Sequence, residues 1–273
     1  MSEYLATYYT PEKLEKAWAV IQRDFLRETG VTLYITLMAT LFAILIGLPL
    51  GVLLVTGDSK GIRPLPKPLM AFLNGLINLL RSAPFIILIV VLMPITRSII
   101  GTAVGNAAVI VPLIIAAFPF VSRLEEGSLR EVNPNIIEMS MSMGATTWQT
   151  VFHVMLPESV PSLITSFTTA ITTILGYTAM SGAVGGGGLG NLAITQGQQR
   201  FNQAVLVAAL IVLVLMVQLF QTIGTRLAKK SGQADQAVNG IFHGAAEQPL
   251  RFHVPARAEK TVCSPCNGRG MTL

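Results

Sequence analysis

Five long apolar runs constrain this chain more than any other feature of its sequence. Each has roughly 20 residues or more, which is the length that an α-helix needs to cross the ~30 Å hydrocarbon core of a bilayer. A helix also satisfies its own backbone hydrogen bonds, as a lipid environment requires. The predicted spans are residues 31–55, 69–95, 99–121, 163–184 and 204–223.

The charge content agrees with a membrane protein. Only 12% of the 273 residues are charged and 52% are hydrophobic, whereas soluble domains carry roughly 25% charged residues. The predicted fold is therefore an all-α membrane protein with about five transmembrane helices, in contact with the lipid bilayer. The net charge of +5 comes from basic residues that flank the apolar runs and form no single basic face, so nucleic acid is not an expected partner.

The basic residues also predict an orientation, with the N-terminus outside and the C-terminus inside. Cytoplasmic loops of membrane proteins carry an excess of lysine and arginine. This orientation leaves only Arg97 and Arg200 in outer loops and places on the inner side Lys60, Arg63, Lys67, Arg123, Arg130, Arg226, Lys229 and Lys230. Four basic residues ahead of the first span oppose it, namely Lys13, Lys16, Arg23 and Arg27.

Polar segments frame the predicted transmembrane domain, residues 31–230. Residues 1–30 have an amphipathic helical pattern, and this helix either lies on the bilayer surface or packs on its own protein. Residues 231–273 have a soluble composition without periodicity, which predicts a disordered tail. The tail contains Cys263 and Cys266, a single CxxC that lacks the second half of a zinc site.

A polar insert at residues 133–161 separates the third span from the fourth. Asn133 and Pro134 predict the start of a short helix, since asparagine is a good N-cap and proline is tolerated at the first helical position. Gly144 falls where a glycine would end that helix.

A second helical pattern follows within the insert. Thr146 is a suitable N-cap, and the pair Leu156 and Pro157 is expected to end the helix. An amphipathic helical hairpin on the membrane face, without catalytic residues, indicates a docking element for another protein.

The sequence contains no convincing enzyme or cofactor motif. Residues 185–190 formally match G-x-G-x-x-G, but that fingerprint requires a βαβ unit, and this segment follows a predicted membrane span. The glycines favour either a flexible connection or a close approach of two backbones. The three histidines show no metal-ligand spacing. Neither a metal site nor a cofactor is expected.

Several residues within the spans are candidates for contact with a solute. Arg81 carries a charge inside the second span, where it either snorkels to the interface or faces the interior of the bundle. Thr165, Thr169 and Thr172 form a stripe that suits either close helix packing or the wall of a solute path. The candidate path residues are Arg81, Thr165, Thr169, Thr172, Tyr177 and Met180.

Other features of the spans bear on mechanism and packing. No aspartate or glutamate occurs within the predicted spans, which argues against a proton relay. Gly101 and Gly105 begin the third predicted span and suggest a small-residue contact with a neighbouring helix.

The insert resembles the cytoplasmic loop of permease subunits of bacterial ATP-binding-cassette importers. That loop has the form Glu-Ala-Ala, three residues, Gly, nine residues, Ile-x-Leu-Pro. Here residues 138–140 are Glu-Met-Ser, Gly144 follows, and residues 154–157 are Val-Met-Leu-Pro. The spacing is intact, although both alanines and the isoleucine are replaced. Segments 78–94, 116–126 and 175–191 further resemble the permeases of methionine importers.

The resemblance implies a function and a set of partners. Two copies of the chain would form a pore in the bacterial inner membrane, with two ATPase subunits below and a substrate-binding lipoprotein outside. The chain would carry methionine, in D- and L-forms, and would not itself be an enzyme. The insert would be a coupling helix that docks on the ATPase through Glu138, Met141, Met143, Gly144, Ala145, Trp148, Leu156 and Pro157.

Two alternatives remain open from the sequence. The first is a permease of the same architecture for another amino acid or a small organic solute. The second is an ion-coupled secondary transporter, which would favour intramembrane acidic residues and broken helices.

Overall fold

The computed structural model describes residues 11–59 and 61–246. Residues 1–10 and most of the predicted tail, with Cys263 and Cys266, lie outside the described residues. The chain divides into two compact units, residues 1–235 and 236–273. The domain boundaries predicted at residues 30 and 230 stay predictions, and both positions fall within long helices.

The described secondary structure is helical throughout. The α-helices are α1 (Pro11–Thr56), α2 (Lys67–Ser82), α3 (Phe85–Ile100), α4 (Asn106–Arg130), α5 (Pro134–Ser142), α6 (Thr147–Thr150), α7 (Leu156–Glu158), α8 (Val160–Ser181), α9 (Leu189–Leu192) and α10 (Gln203–Ala246). Two π-helical segments, Val151–Met155 and Ala193–Gln199, and one 3₁₀ turn, Gly182–Val184, connect some of them.

Four helices, α1, α4, α8 and α10, are long and apolar enough to cross a membrane. The bent pair formed by α2 and α3 brings the number of candidate spans to five. The prediction of an all-helical membrane protein with about five spans is therefore confirmed.

The second predicted span is not one continuous helix, so that part of the prediction is wrong. Helices α2 and α3 meet at an angle of 109°. Ala83 and Pro84 between them are extended, each with ψ of 128°. Proline disfavours the helical conformation of the residue before it and lacks the N–H group that a helix interior needs. Pro84 thus accounts for the break.

The third predicted span is displaced along the chain. Helix α4 begins at Asn106 and ends at Arg130, nine residues beyond the predicted end at residue 121. Gly101 (φ +87°) and Gly105 (φ +113°) form the turn before it, so they are not a helix contact face. Helix α4 also includes Glu125 and Glu126, which lie after the predicted end of the span.

Helix α4 lies at the centre of the bundle and packs against α1, α2, α3 and α8. Gly47 and Gly51 let α1 approach it closely: a Cβ on Gly47 would lie 2.9 Å from Val121 Cγ1, and one on Gly51 3.1 Å from the Ser122 carbonyl oxygen. Glu125 is fully buried at this contact, and both of its carboxylate oxygens lack a hydrogen-bond partner among the described residues.

The start of α1 packs on the protein itself. Ala17 and Phe25 are buried in a cluster with Leu192, Val205 and Ala209. Of the two arrangements left open for the amphipathic N-terminal segment, packing on its own protein is therefore the one observed.

The glycine-rich segment after α8 is anchored to α1. The Gly188 amide donates to Glu28 Oε2 at 2.8 Å, and the Leu189 amide donates to Thr32 Oγ1 at 2.8 Å. A Cβ on Gly190 would collide with the backbone of Ala179. Glycine is therefore required here because two backbone segments lie in contact.

Candidate functional site

The first helix of the insert forms as the sequence predicts. Asn133 caps α5, its Oδ1 atom accepting a hydrogen bond from the Asn135 amide at 3.0 Å, and Pro134 is the first helical residue. Gly144 follows the end of α5 with φ of +86°. This left-handed conformation strains residues with a Cβ, so glycine reverses the chain there at no steric cost.

The second helix of the insert starts as predicted but does not end as predicted. Thr146 and Gln149 form a reciprocal capping box. The expected stop at Leu156 and Pro157 is wrong, because the chain passes through the π-helical segment into α7 and, after Ser159, into α8. Proline is tolerated in the first turn of a helix, which is its position in α7. The insert therefore leads almost directly into a candidate span.

One side of the insert is fixed to the end of α4. Val151 and Met155 are buried in a cluster with Leu129 of α4. The hydroxyl groups of Ser140 and Thr150 lie 3.3 Å apart and join the two helices of the insert across the Gly144 turn. The insert is thus a packed hairpin and not a loose loop.

The other side of the insert presents four large apolar side chains, which we call the coupling surface. Their exposed fractions are large, at 58% for Met139, 76% for Met143, 68% for Trp148 and 56% for Phe152. The Trp148 and Phe152 rings stack with centroids 5.7 Å apart. Clusters of exposed apolar side chains mark interaction sites, and methionine adapts well to varied partners.

The sequence interpretation found only half of this surface. It singled out Met143 and Trp148 as contacts and omitted Met139 and Phe152. Each omitted residue lies four positions from a named one, so helical spacing places it on the same face. That spacing was the available signal.

The remaining predicted docking residues lie beside this surface. Glu138, Met141 and Pro157 are exposed, whereas Ala145 and Leu156 are half-buried. Glu138 and Met141 line a cavity of about 310 Å³ together with Asp58 and Arg130.

A hydrogen-bonded ionic network connects the base of the insert to neighbouring elements. Arg130 donates to Asp58 Oδ2 and to Glu126 Oε1, both at 2.9 Å. Arg123 donates to Glu126 Oε2 and to Asn74 Oδ1, both at 2.6 Å. The hydrogen bond from Arg130 holds the pKa of Asp58 below its usual value. Exposed ion pairs such as Arg130–Asp58 contribute at most about 1 kcal/mol. Glu126 is buried between the two arginines, so the network mainly holds these elements in position.

The three predicted path threonines on α8 have their hydroxyl groups satisfied within the helix. Thr165 donates to the Pro161 carbonyl at 3.2 Å, Thr169 to the Thr165 carbonyl at 3.0 Å, and Thr172 to the Thr168 carbonyl at 3.2 Å. The stripe therefore presents methyl groups and oxygen lone pairs. This arrangement suits both helix packing and a path wall, and both remain open.

Two other predicted path residues, Arg81 and Tyr177, lie near the break between α2 and α3. Arg81 lies in the last turn of α2, directly before the break. Tyr177 of α8 stacks on Phe85, the first residue of α3, with ring centroids 4.7 Å apart. Met180 is 53% exposed near the end of α8. Phe85 was not predicted, because its proximity depends on the break in the second span.

Comparison with known proteins identifies this architecture. Residues 47–230 match the family of binding-protein-dependent transport system inner membrane components. The chain belongs to this family. It is accordingly a multi-pass permease of the inner membrane and not an enzyme, and family membership removes the ion-coupled secondary transporter from the alternatives.

The chain is similar to several permeases along most of their length. It is 48% identical over 200 residues to a probable D-methionine transport system permease protein of Pasteurella multocida (strain Pm70), covering 73% of this chain and 91% of that protein. It is 42% identical over 166 residues to a methionine import system permease protein of Bacillus subtilis (strain 168), covering 61% and 75%.

Solved structures show the same fold. A chain of the MetNI methionine ABC transporter in inward-facing conformations superposes with a TM-score of 0.74 at 40% sequence identity, covering 76% of this chain and 95% of that one. An amino acid ABC transporter crystallised with histidines gives a TM-score of 0.64 at 17% identity. The second match establishes the fold alone.

Proposed function

We propose that the chain is the membrane-spanning subunit of an importer that carries methionine, in D- and L-forms, across the inner membrane. The observation that carries the proposal is the 40% identity over 95% of a methionine-transporter chain of the same fold. ATP hydrolysis in a partner subunit supplies the energy.

Transport of another amino acid or small organic solute has weaker support. The amino acid transporter of similar fold shares only 17% of its sequence with this chain, compared with 48% and 42% for the methionine permeases. Methionine is therefore the favoured solute.

The proposed orientation places the N-terminus outside and the C-terminus inside. It rests on the basic residues of the loop after α1, of the end of α4 and of the stretch from Arg226 to Lys230. The same orientation puts the insert and its coupling surface in the cytoplasm.

The coupling surface then docks on an ATPase subunit. Met143 and Trp148, with Met139 and Phe152, enter an apolar groove of that subunit, and Glu138 and Met141 lie at its edge. Because the insert packs on α4 and leads into α8, movement of the ATPase is passed to two spans at once.

The complete importer contains two copies of this chain, two ATPase subunits and a substrate-binding lipoprotein. A pair of permeases encloses a path that a single bundle does not, and the lipoprotein delivers the solute from outside. These partners follow from the family resemblance together with the coupling surface.

The decisive experiment is uptake of radiolabelled methionine into proteoliposomes that contain this chain, its ATPase and its binding protein. We expect uptake to require ATP on the side of the membrane that the ATPase faces. We also expect excess unlabelled methionine to suppress it. An active complex that takes up another amino acid and not methionine would refute the proposed solute.

Docking makes a separate prediction for Trp148. Truncating an interface tryptophan typically removes about 2 kcal/mol or more of binding free energy, so Trp148→Ala should reduce the ATPase that co-purifies with the permease by at least about tenfold. Phe201→Ala is the matched control, because Phe201 is an aromatic residue of 64% exposure outside the insert. Equal ATPase recovery with both variants would contradict the assignment of the coupling surface.

A further inference from the structure

A small cavity opens at the break between α2 and α3. Its volume is about 130 Å³, comparable with roughly four water molecules at ~30 Å³ each in the liquid. Its apolar walls include Leu88 from α3, Phe120 from α4, and the stacked rings of Phe85 and Tyr177. With Leu80 and Arg81 of α2, four helices, α2, α3, α4 and α8, line it, which makes it a feature of the bundle and not of one kinked helix.

Arg81 lines the same cavity and is the one charged residue among those that line it. Its side chain is exposed in the protomer, and it forms no hydrogen bond or ion pair with any other described residue. Hydrogen-bonding capacity is thus available at the edge of a chamber whose other lining side chains, apart from the Tyr177 hydroxyl, are apolar.

The position of Arg81 along α2 makes its unused hydrogen-bonding groups a sign of a functional site. Arg81 lies about 21 Å along the helix axis from Lys67, the first residue of α2, at a rise of 1.5 Å per residue. Helices α2 and α3 together make up one candidate span, and Arg81 lies beside the bend inside it. An arginine inside a span is costly unless it faces a partner or a polar path, and intramembrane charges are accordingly rare outside functional sites.

We propose that this cavity is a binding subsite for the transported amino acid, with the carboxylate paired to the Arg81 guanidinium and the thioether side chain among Phe85, Phe120 and Tyr177. The inference rests on the proposed function for the identity of the solute. The guanidinium can bind a carboxylate through two parallel hydrogen bonds.

The size and lining of the chamber match an unbranched thioether. Its volume of about 130 Å³ accommodates the four non-hydrogen atoms of such a side chain. Sulfur makes favourable contacts with aromatic rings, and Phe85, Phe120 and Tyr177 contribute three rings to the wall. The subsite therefore selects on both the charge and the shape of the solute.

The test uses the complete permease–ATPase complex in lipid nanodiscs without the binding protein, so that the selectivity of that protein does not enter. A diazirine analogue of methionine is photo-crosslinked, and labelled peptides are mapped by mass spectrometry. We expect label on Phe85, Phe120 or Tyr177. Methionine should compete at least about tenfold better than methioninol, which lacks the carboxylate, because a bond between charged groups contributes strongly to affinity.

Variants at two arginines complete the experiment. Arg81→Gln should remove the preference for methionine over methioninol, and Arg81→Lys should keep part of it. Arg97 is an exposed arginine in the last turn of α3. The control Arg97→Gln should therefore keep the whole preference. Label outside the cavity, or a preference unchanged in Arg81→Gln, would overturn the subsite. If Arg81→Gln does not fold, the label map of the unmodified complex decides.

Failure of this subsite is distinguishable from failure of the proposed function. Methionine uptake by the unmodified complex with label outside the cavity rejects the subsite alone. Absence of methionine uptake with another amino acid transported rejects the proposed solute.

Discussion

Replacing Gly190 with alanine is expected to destabilise the folded permease by about 3 kcal/mol. The new Cβ would overlap the backbone of Ala179, and backbone atoms cannot rotate away as a flexible side chain does. Overpacking typically costs about 1–3 kcal/mol, and a collision with backbone belongs at or above the upper end of that range. A loss of about 3 kcal/mol lowers the melting temperature of a domain this size by roughly 6–12 °C.

Gly176→Ala provides the matched control in the neighbouring helix α8. A Cβ on Gly176 meets no atom within 4 Å, and alanine is a better helix former than glycine by about 0.5–1 kcal/mol. The control should therefore melt at or above the temperature of the unmodified chain. Thermal unfolding in detergent, followed by intrinsic fluorescence and size-exclusion chromatography, measures both. If Gly190→Ala melts within about 2 °C of the unmodified chain, the packing argument is wrong.

Replacing Gly144 with valine is expected to reduce ATP-driven uptake by about tenfold or more and to leave membrane insertion intact. A Cβ on Gly144 has open space around it, but its φ is +86°, a conformation that costs a side-chain-bearing residue about 1–2 kcal/mol and a β-branched one more. That energy changes the population of the native turn by a factor of about 5–30. The coupling surface would lose its defined shape without any loss of apolar contacts.

Gly144→Asn separates backbone conformation from side-chain bulk. Asparagine tolerates the left-handed region far better than valine does, so this variant should retain most of the uptake. Proteoliposome uptake and ATPase rate are measured for both variants at equal reconstituted amounts. Uptake by Gly144→Val equal to that of the unmodified complex, or equal losses for the two variants, would exclude the proposed role of the turn.

The features predicted correctly from the sequence are those set by local chemistry. The Asn133 cap, the Gly144 turn and the Thr146 capping box each depend on a few adjacent residues, and all three are observed. Membrane spans were found for a similar reason, because apolar length is a property of one continuous segment.

The features that sequence reasoning missed depend on residues far apart in the chain. Glu125 lies after the predicted end of the third span, yet it is buried. Gly47 and Gly51 of α1 allow that helix to cover it. The contact between Arg130 and Asp58 joins residues 72 positions apart. No local pattern specifies such pairs.

The break in the second span illustrates a different difficulty. The segments on both sides of Pro84 are predominantly apolar, and membrane helices often contain proline, so hydropathy predicts a continuous helix. The residue before a proline can be extended or, less favourably, helical, and Ala83 is extended. Packing of Phe85 on Tyr177 accompanies the outcome adopted here, and it could not be inferred without the fold.

The threonines of α8 set a limit on how long a solute could remain beside them. Because each hydroxyl proton is donated to a carbonyl of the same helix, a passing carboxylate would find no donor along this stripe. A surface of that kind has no deep free-energy minimum, and rapid passage requires sites that release a solute as readily as they take it up. On a solute path beside α8, residence times would therefore be short.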